Sequence, residues 1–83
     1  MSPEKKARLI WQCRRGMLEL DLLLNRFLTQ HWAQLSDAQI RDFEQLLTYP
    51  DPEINAWLMG HDIPHEKELV DIVAFIQLQH HVQ

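Results

Sequence analysis

Between residues 17 and 32 the apolar side chains recur at one spacing. Met17, Leu20, Leu23, Leu24, Phe27, Leu28 and His31 fall on one side of a helix drawn at 100° per residue. A stripe this broad belongs to a helix that lies against other elements, so the remaining segments must supply the surface that covers it. They do so at the same period. Residues 66–80 carry Leu69, Ile72, Val73 and Ile76, and residues 37–47 carry Ile40, Phe43, Leu46 and Leu47. No segment alternates apolar and polar residues as a half-buried strand would. With 83 residues there is material for one domain and one small core, in which nearly every apolar residue is needed for folding. The expected fold is all-α: a single domain over residues 1–83 and a compact antiparallel bundle of five short helices.

The ends of these helices are marked by local chemistry. Ser2-Pro3-Glu4 presents a cap, a proline for the first turn and an acid at the positive end of the dipole, which opens helix 1. Helix 1 is expected to run to about Cys13, with Ala7, Ile10 and Trp11 inward and Lys5, Arg8 and Gln12 outward. Arg14-Arg15-Gly16 breaks it, and helix 2 follows over Met17 to Trp32. Ser36 and Gln39 have the spacing of a capping box for helix 3, which ends near Leu47. Asp51-Pro52-Glu53 repeats the cap, proline and acid pattern for a short helix 4 that buries Ile54, Trp57 and Leu58 and ends at Gly60. Helix 5 spans Glu66 to about His80.

Charge narrows the functional classes. The net charge is −4, yet Met1–Arg15 sums to +4 and the remainder to −8. A basic end on an acidic body repels a phosphate backbone over most of its surface, which argues against nucleic acid as a partner. A helix-turn-helix reading of helices 3 and 4 fails for the same reason, because Asp42, Glu44, Asp51 and Glu53 make that surface acidic. No apolar run approaches the roughly 20 residues of a membrane span, and residues 1–15 resemble neither a secretory signal nor a transit peptide. Direct membrane insertion is not expected, and the expected location is the cytoplasm.

Catalytic equipment is sparse. Ser2 and Ser36 read as caps, the lone Cys13 as a half-buried small hydrophobe, and there is no glycine-rich phosphate loop. His61 and His65 are separated by Pro64 and His80-His81 lies at a chain end, so they read as solvated histidines and no metal site is expected. What stands out is the junction of helices 1 and 2. Glu19 and Arg26 lie opposite the core stripe of helix 2, in line with Arg15, and Leu18 and Leu22 border them. Apolar area beside fixed charge suits a protein-binding patch. The competing reading is a solvated face with an Arg15–Glu19 pair one turn apart.

Lys6-Ala7-Arg8, Trp11, Cys13-Arg14-Arg15-Gly16-Met17 and Glu19-Leu20-Asp21 together resemble the N-terminal signature of the FAD assembly factors of succinate dehydrogenase, with the RGxxE motif as Arg15-Gly16-Met17-Leu18-Glu19. Leu35-Ser36-Asp37, Leu46-Leu47, Asp51-Pro52 and Trp57-Leu58-Met59 are similar to that family's later landmarks, so the resemblance runs from Lys6 to about Gln79. It implies a five-helix protein that is not an enzyme. Such a protein binds the flavoprotein subunit of succinate dehydrogenase, and in bacteria fumarate reductase, and promotes covalent attachment of FAD to a histidine of that partner. The FAD belongs to the partner, and no cofactor is bound by the chain itself. Carried over, Arg15, Gly16 and Glu19 become the centre of the partner-binding surface, with Arg8, Trp11, Arg14, Met17 and Asp21 as supports. Two alternatives remain beside this reading: an antitoxin-like interaction module paired with a small membrane protein, and a carrier of FAD.

Overall fold

A computed structural model describes residues 3–80, so the cap expected at Ser2 and His81 of the terminal histidine pair lie outside the described residues. Five α-helices are present: α1 (Pro3–Gln12), α2 (Leu18–His31), α3 (Asp37–Leu46), α4 (Asp51–Leu58) and α5 (Lys67–His80), with a 3-10 turn over Trp32–Gln34. No strand occurs among the described residues. None of these helices is long and apolar enough to cross a membrane.

α5 is the common partner. It packs against α2, α3 and α4, while α1 leans on α2. Its Leu69, Ile72, Val73 and Ile76 are buried together with Leu20, Leu23, Leu24, Phe27 and Leu28 of α2 and Ile40, Phe43 and Leu46 of α3. The Phe27 ring sits where these helices meet, with centroids 5.6 Å from Phe43 and 5.8 Å from Phe75, the latter edge-on. Such aromatic pairs add roughly 0.5–1.5 kcal/mol beyond the area they bury. Met17 and His31, expected on the same stripe, are exposed and half-buried instead. They sit at its two ends, and the His31 ring still lies 5.6 Å from that of Phe27.

The capping box of α3 is formed as the sequence indicates. The Gln39 N–H donates to the Ser36 hydroxyl at 3.1 Å, and the Gln39 side chain accepts from the Ser36 N–H at 2.9 Å. α4 ends in a Schellman motif about Gly60, whose φ is +80°: the His61 N–H reaches the Ala56 carbonyl at 2.8 Å and the Gly60 N–H that of Trp57 at 3.1 Å. Gln77 of α5 then donates to the carbonyls of Trp57 and Leu58, at 3.0 and 3.3 Å. This closes the α4 end against α5.

Two expectations are corrected. α1 turns Leu9 and Cys13 inward, both essentially inaccessible, while Ala7 and Trp11 are exposed and Ile10 is half-buried. Leu9 and Cys13 are four apart and the turn continues past the helix, since the Cys13 N–H bonds the Leu9 carbonyl at 3.1 Å. Compact groups therefore fill the space under α1, and the bulky indole is left outside. At α4 the cap position is Pro50 rather than Asp51, and no side chain caps the helix. The Asp51 carboxylate is directed elsewhere, as described below.

Trp57 is buried and meets Tyr49 edge-on at 5.1 Å. Trp57→Ala is expected to destabilise the fold by about 3–5 kcal/mol, a large share of the stability of so short a chain. Thermal unfolding followed by circular dichroism checks this, with a clear fall in Tm as the expected outcome.

Candidate functional site at the junction of α1 and α2

The chain between α1 and α2 must reverse within residues 13–17, and Gly16 makes this feasible with φ at +91°. The turn is gripped from two sides. Asp21, in the first turn of α2, spreads its carboxylate over two successive amides: the Arg15 N–H reaches Oδ1 at 2.7 Å and the Gly16 N–H reaches Oδ2 at 3.3 Å. From the other side the Arg15 guanidinium reaches across the fold. Its Nε donates to Asp51 Oδ1 at 2.7 Å, Nη1 to the Gln12 carbonyl at 3.1 Å and Nη2 to the Tyr49 carbonyl at 3.0 Å. One side chain thus caps α1, holds the turn before α4 and pairs with the first residue of α4.

This arrangement replaces the Arg15–Glu19 pair of the solvated-face reading. Arg15 precedes α2 and is turned away from its outer face. Glu19 is exposed and makes no hydrogen bond or ion pair among the described residues. Around it the apolar surface is large: Leu18 is 73% exposed and Leu22 52%. Arg26 continues the exposed face of α2. On the α1 side, Trp11 is 68% exposed and its ring lies 5.0 Å below the Arg14 guanidinium, a cation–π contact. Trp11, Arg14 and Arg15 line an open notch with Glu44 and Thr48 of the α3 side. Arg8 is exposed on α1, and Met17 is exposed at the cap position of α2.

The structure therefore sorts the residues singled out in the sequence. Arg15, Gly16 and Asp21 build the turn, Trp11 and Arg14 form a pair beside it, and Leu18, Glu19 and Leu22 face outward from α2. Asp51 belongs to this constellation and reads from sequence only as a helix cap. Its partner is 36 residues away, and no local spacing reports a contact of that range.

The thiol at the junction, Cys13, is buried and free. Burial pushes the Cys13 thiol up to about 12, the nearby Arg15 charge opposing and the Asp21 charge adding to the shift. No group of three or more metal-ligating side chains occurs among the described residues. What the site offers is an exposed apolar and charged surface on a stiff turn.

The profile of the family described as "Flavinator of succinate dehydrogenase" matches residues 7–80. The chain belongs to this flavinator family. It is 53% identical over 77 residues to the FAD assembly factor SdhE of Legionella pneumophila (strain Paris), covering 93% of this chain and 96% of that one. To the FAD assembly factor SdhE of Coxiella burnetii (strain RSA 493 / Nine Mile phase I) it is 43% identical over 75 residues, covering 90% and 92%. The corresponding protein of Yersinia pseudotuberculosis serotype I (strain IP32953) is 42% identical over 77 residues, covering 93% and 88%. The matches to these flavinator-family relatives run through the whole five-helix body as well as the junction.

Two outcomes follow from the geometry. A Cβ at Gly16 would meet nothing within 4 Å, so substitution there is opposed by backbone strain and not by a clash. Gly16→Ala is expected to cost about 1–3 kcal/mol and Gly16→Asn less, because asparagine tolerates positive φ better; chemical denaturation of the two variants measures the difference. Cys13, with its thiol at about 12 against 9.0 for a free one, has about a thousandfold less thiolate at pH 8. It is expected to resist a chromogenic disulfide reagent in the folded protein and to react at once in denaturant.

Proposed function

We propose that this chain is an assembly factor for succinate dehydrogenase: it binds the flavoprotein subunit and promotes the covalent attachment of FAD to it, and it is not itself an enzyme. The observation that carries this reading is membership of the flavinator family over residues 7–80, with relatives named FAD assembly factor matching nearly end to end. The reading extends to the related fumarate reductase flavoprotein as a second client and to the cytoplasm as the place of action. The FAD and the histidine it joins belong to the client. The chain supplies no redox cofactor.

The partner-binding surface in this reading centres on the junction of α1 and α2. Glu19 has no partner among the described residues and stands beside Leu18 and Leu22, and Trp11 and Arg14 extend the surface across α1. Arg15, Gly16 and Asp21 shape the turn, and Met17 and Arg8 lie at its margins. Apolar area of this kind provides affinity, and a bare carboxylate fixes orientation through charge-assisted hydrogen bonds.

The mechanism needs no acid, base or nucleophile from this chain. Alignment of the client's histidine with the isoalloxazine methyl carbon is worth several kcal/mol when the two are held in reacting geometry. A factor that binds the aligned arrangement of the client better than the unaligned one raises its population by that difference in affinity.

The test mixes unflavinylated flavoprotein, FAD and limiting amounts of each variant, then reads in-gel flavin fluorescence after denaturation. Glu19→Ala removes one exposed carboxylate without touching the core, so its helical circular-dichroism signal should match the parent. Its flavinylation rate is expected to fall about 10–100-fold, the loss of one charge-assisted hydrogen bond of about 1.5–3 kcal/mol. A parental rate would remove the junction from the functional surface. A stoichiometric flavin band in the purified chain would replace the reading with carriage of FAD.

A further inference from the structure

All three nitrogens of the Arg15 guanidinium donate to acceptors within this chain. A guanidinium takes a carboxylate or phosphate bidentately along an edge that uses two of its nitrogens. Three of the five guanidinium N–H groups are used in this way, and the side chain is only 16% exposed. Arg15 is therefore poorly placed to act as a free fork for a partner. Its bonds instead run inward, to the end of α1, to the carbonyl of Tyr49 and to Asp51 at the start of α4.

Asp51 is the charged member of that set. Its side chain is 24% exposed, it caps no helix, and its Oδ1 takes the shortest of the three guanidinium bonds, at 2.7 Å. Beyond the turn, at the start of α2, stand Leu18 and Glu19, both exposed, and Glu19 has no hydrogen bond or ion pair among the described residues. Their placement depends on where α2 starts, which depends on the course of residues 14–17. Asp21 grips the backbone of that course at the amides of Arg15 and Gly16. Asp51 grips its side chain.

We infer that Asp51 is a positioning residue of the partner-binding surface: it acts through Arg15 to set the 14–17 turn, and thereby aims Glu19 and Leu18, without touching the partner. The inference rests on the reading of the junction as that surface. It divides the Arg15-Gly16-Met17-Leu18-Glu19 segment into an anchor, Arg15, a permissive bend, Gly16, and a displayed group, Glu19. The anchor's counter-charge lies 36 residues away, on another helix.

The experiment compares Asp51→Asn, Arg15→Gln, the double variant and Glu19→Ala by two measurements. Amide hydrogen exchange of the free chain is followed residue by residue, and affinity for unflavinylated flavoprotein is measured by titration calorimetry. Asp51→Asn keeps an acceptor and loses the charge. It is expected to speed exchange at the Arg15 and Gly16 amides about tenfold, while the amides of Phe43 and Ile76 in the core keep the parent's rates, and to weaken the complex by a similar factor. In the Arg15→Gln background, Asp51→Asn is expected to cause no further loss, since the group it acts through is gone.

Four results overturn the inference. Unchanged exchange at Arg15 and Gly16 would show that Asp51 does not order the turn. A full additional loss in the double variant would place Asp51 in contact with the partner. Weaker binding by Arg15→Gln with unaltered turn amides would make Arg15 a direct contact. Equal acceleration at every amide, core included, would reduce the pair to general stability and also overturn it. If Glu19→Ala binds like the parent, the docking reading itself has failed, and the amide measurement still decides separately whether Asp51 orders the turn.

Discussion

The meeting of α2, α3 and α5 around Phe27 is the contact on which the rest of the molecule depends. Among the described residues no helix exceeds 14 residues, a length at which an isolated helix is marginal in water. Each is helical because its apolar face is covered by another. Phe27 joins two of those coverings at once, touching Phe43 of α3 and Phe75 of α5. α4 and α1 are then added to the periphery, α4 against α5 and α1 against α2.

A core of this size has no apolar residues to spare, which gives meaning to those left outside. Trp11, Leu18 and Leu22 are large and exposed, on the two helices that the chain's reversal joins. In a larger protein scattered surface leucines would call for no account. Here Leu18 and Leu22 flank Glu19, a carboxylate with no partner among the described residues, on the segment whose sequence resembles the flavinator signature. The acidic bulk of the chain and the basic character of its first residues are consistent with a surface that has one preferred orientation toward a partner.

The sequence makes some of this plain and hides the rest, for identifiable reasons. The α3 capping box is legible because both of its bonds link residues three apart, so spacing alone reports them. The stripes of α2, α3 and α5 are legible because each carries enough apolar residues to fix a phase. α1 does not. With the residue that follows it, it offers two overlapping stripes, one through Ala7, Ile10 and Trp11 and one through Leu9 and Cys13, and too few apolar residues to decide between them. Only the shape of the space beneath the helix chooses between them. Asp51 is misread for a different reason: an acid before Pro52 fits the local grammar of a helix start, whereas its actual partner is set by tertiary geometry. At the candidate site the residues close in sequence were legible and Asp51 was not, nor was their division into buried anchors and exposed groups.

The carboxylate of Asp21, spread across the amides of Arg15 and Gly16, has a consequence for the energetics of association. A loop that orders only on contact subtracts its lost conformational freedom from the affinity and slows the approach to the bound state. Here that entropy is already spent during folding. In the proposed reading, encounter with the flavoprotein then meets a turn already formed, and the free energy of burying Leu18, Leu22 and Trp11 would remain available for acting on the partner's conformation instead of on the chain's own.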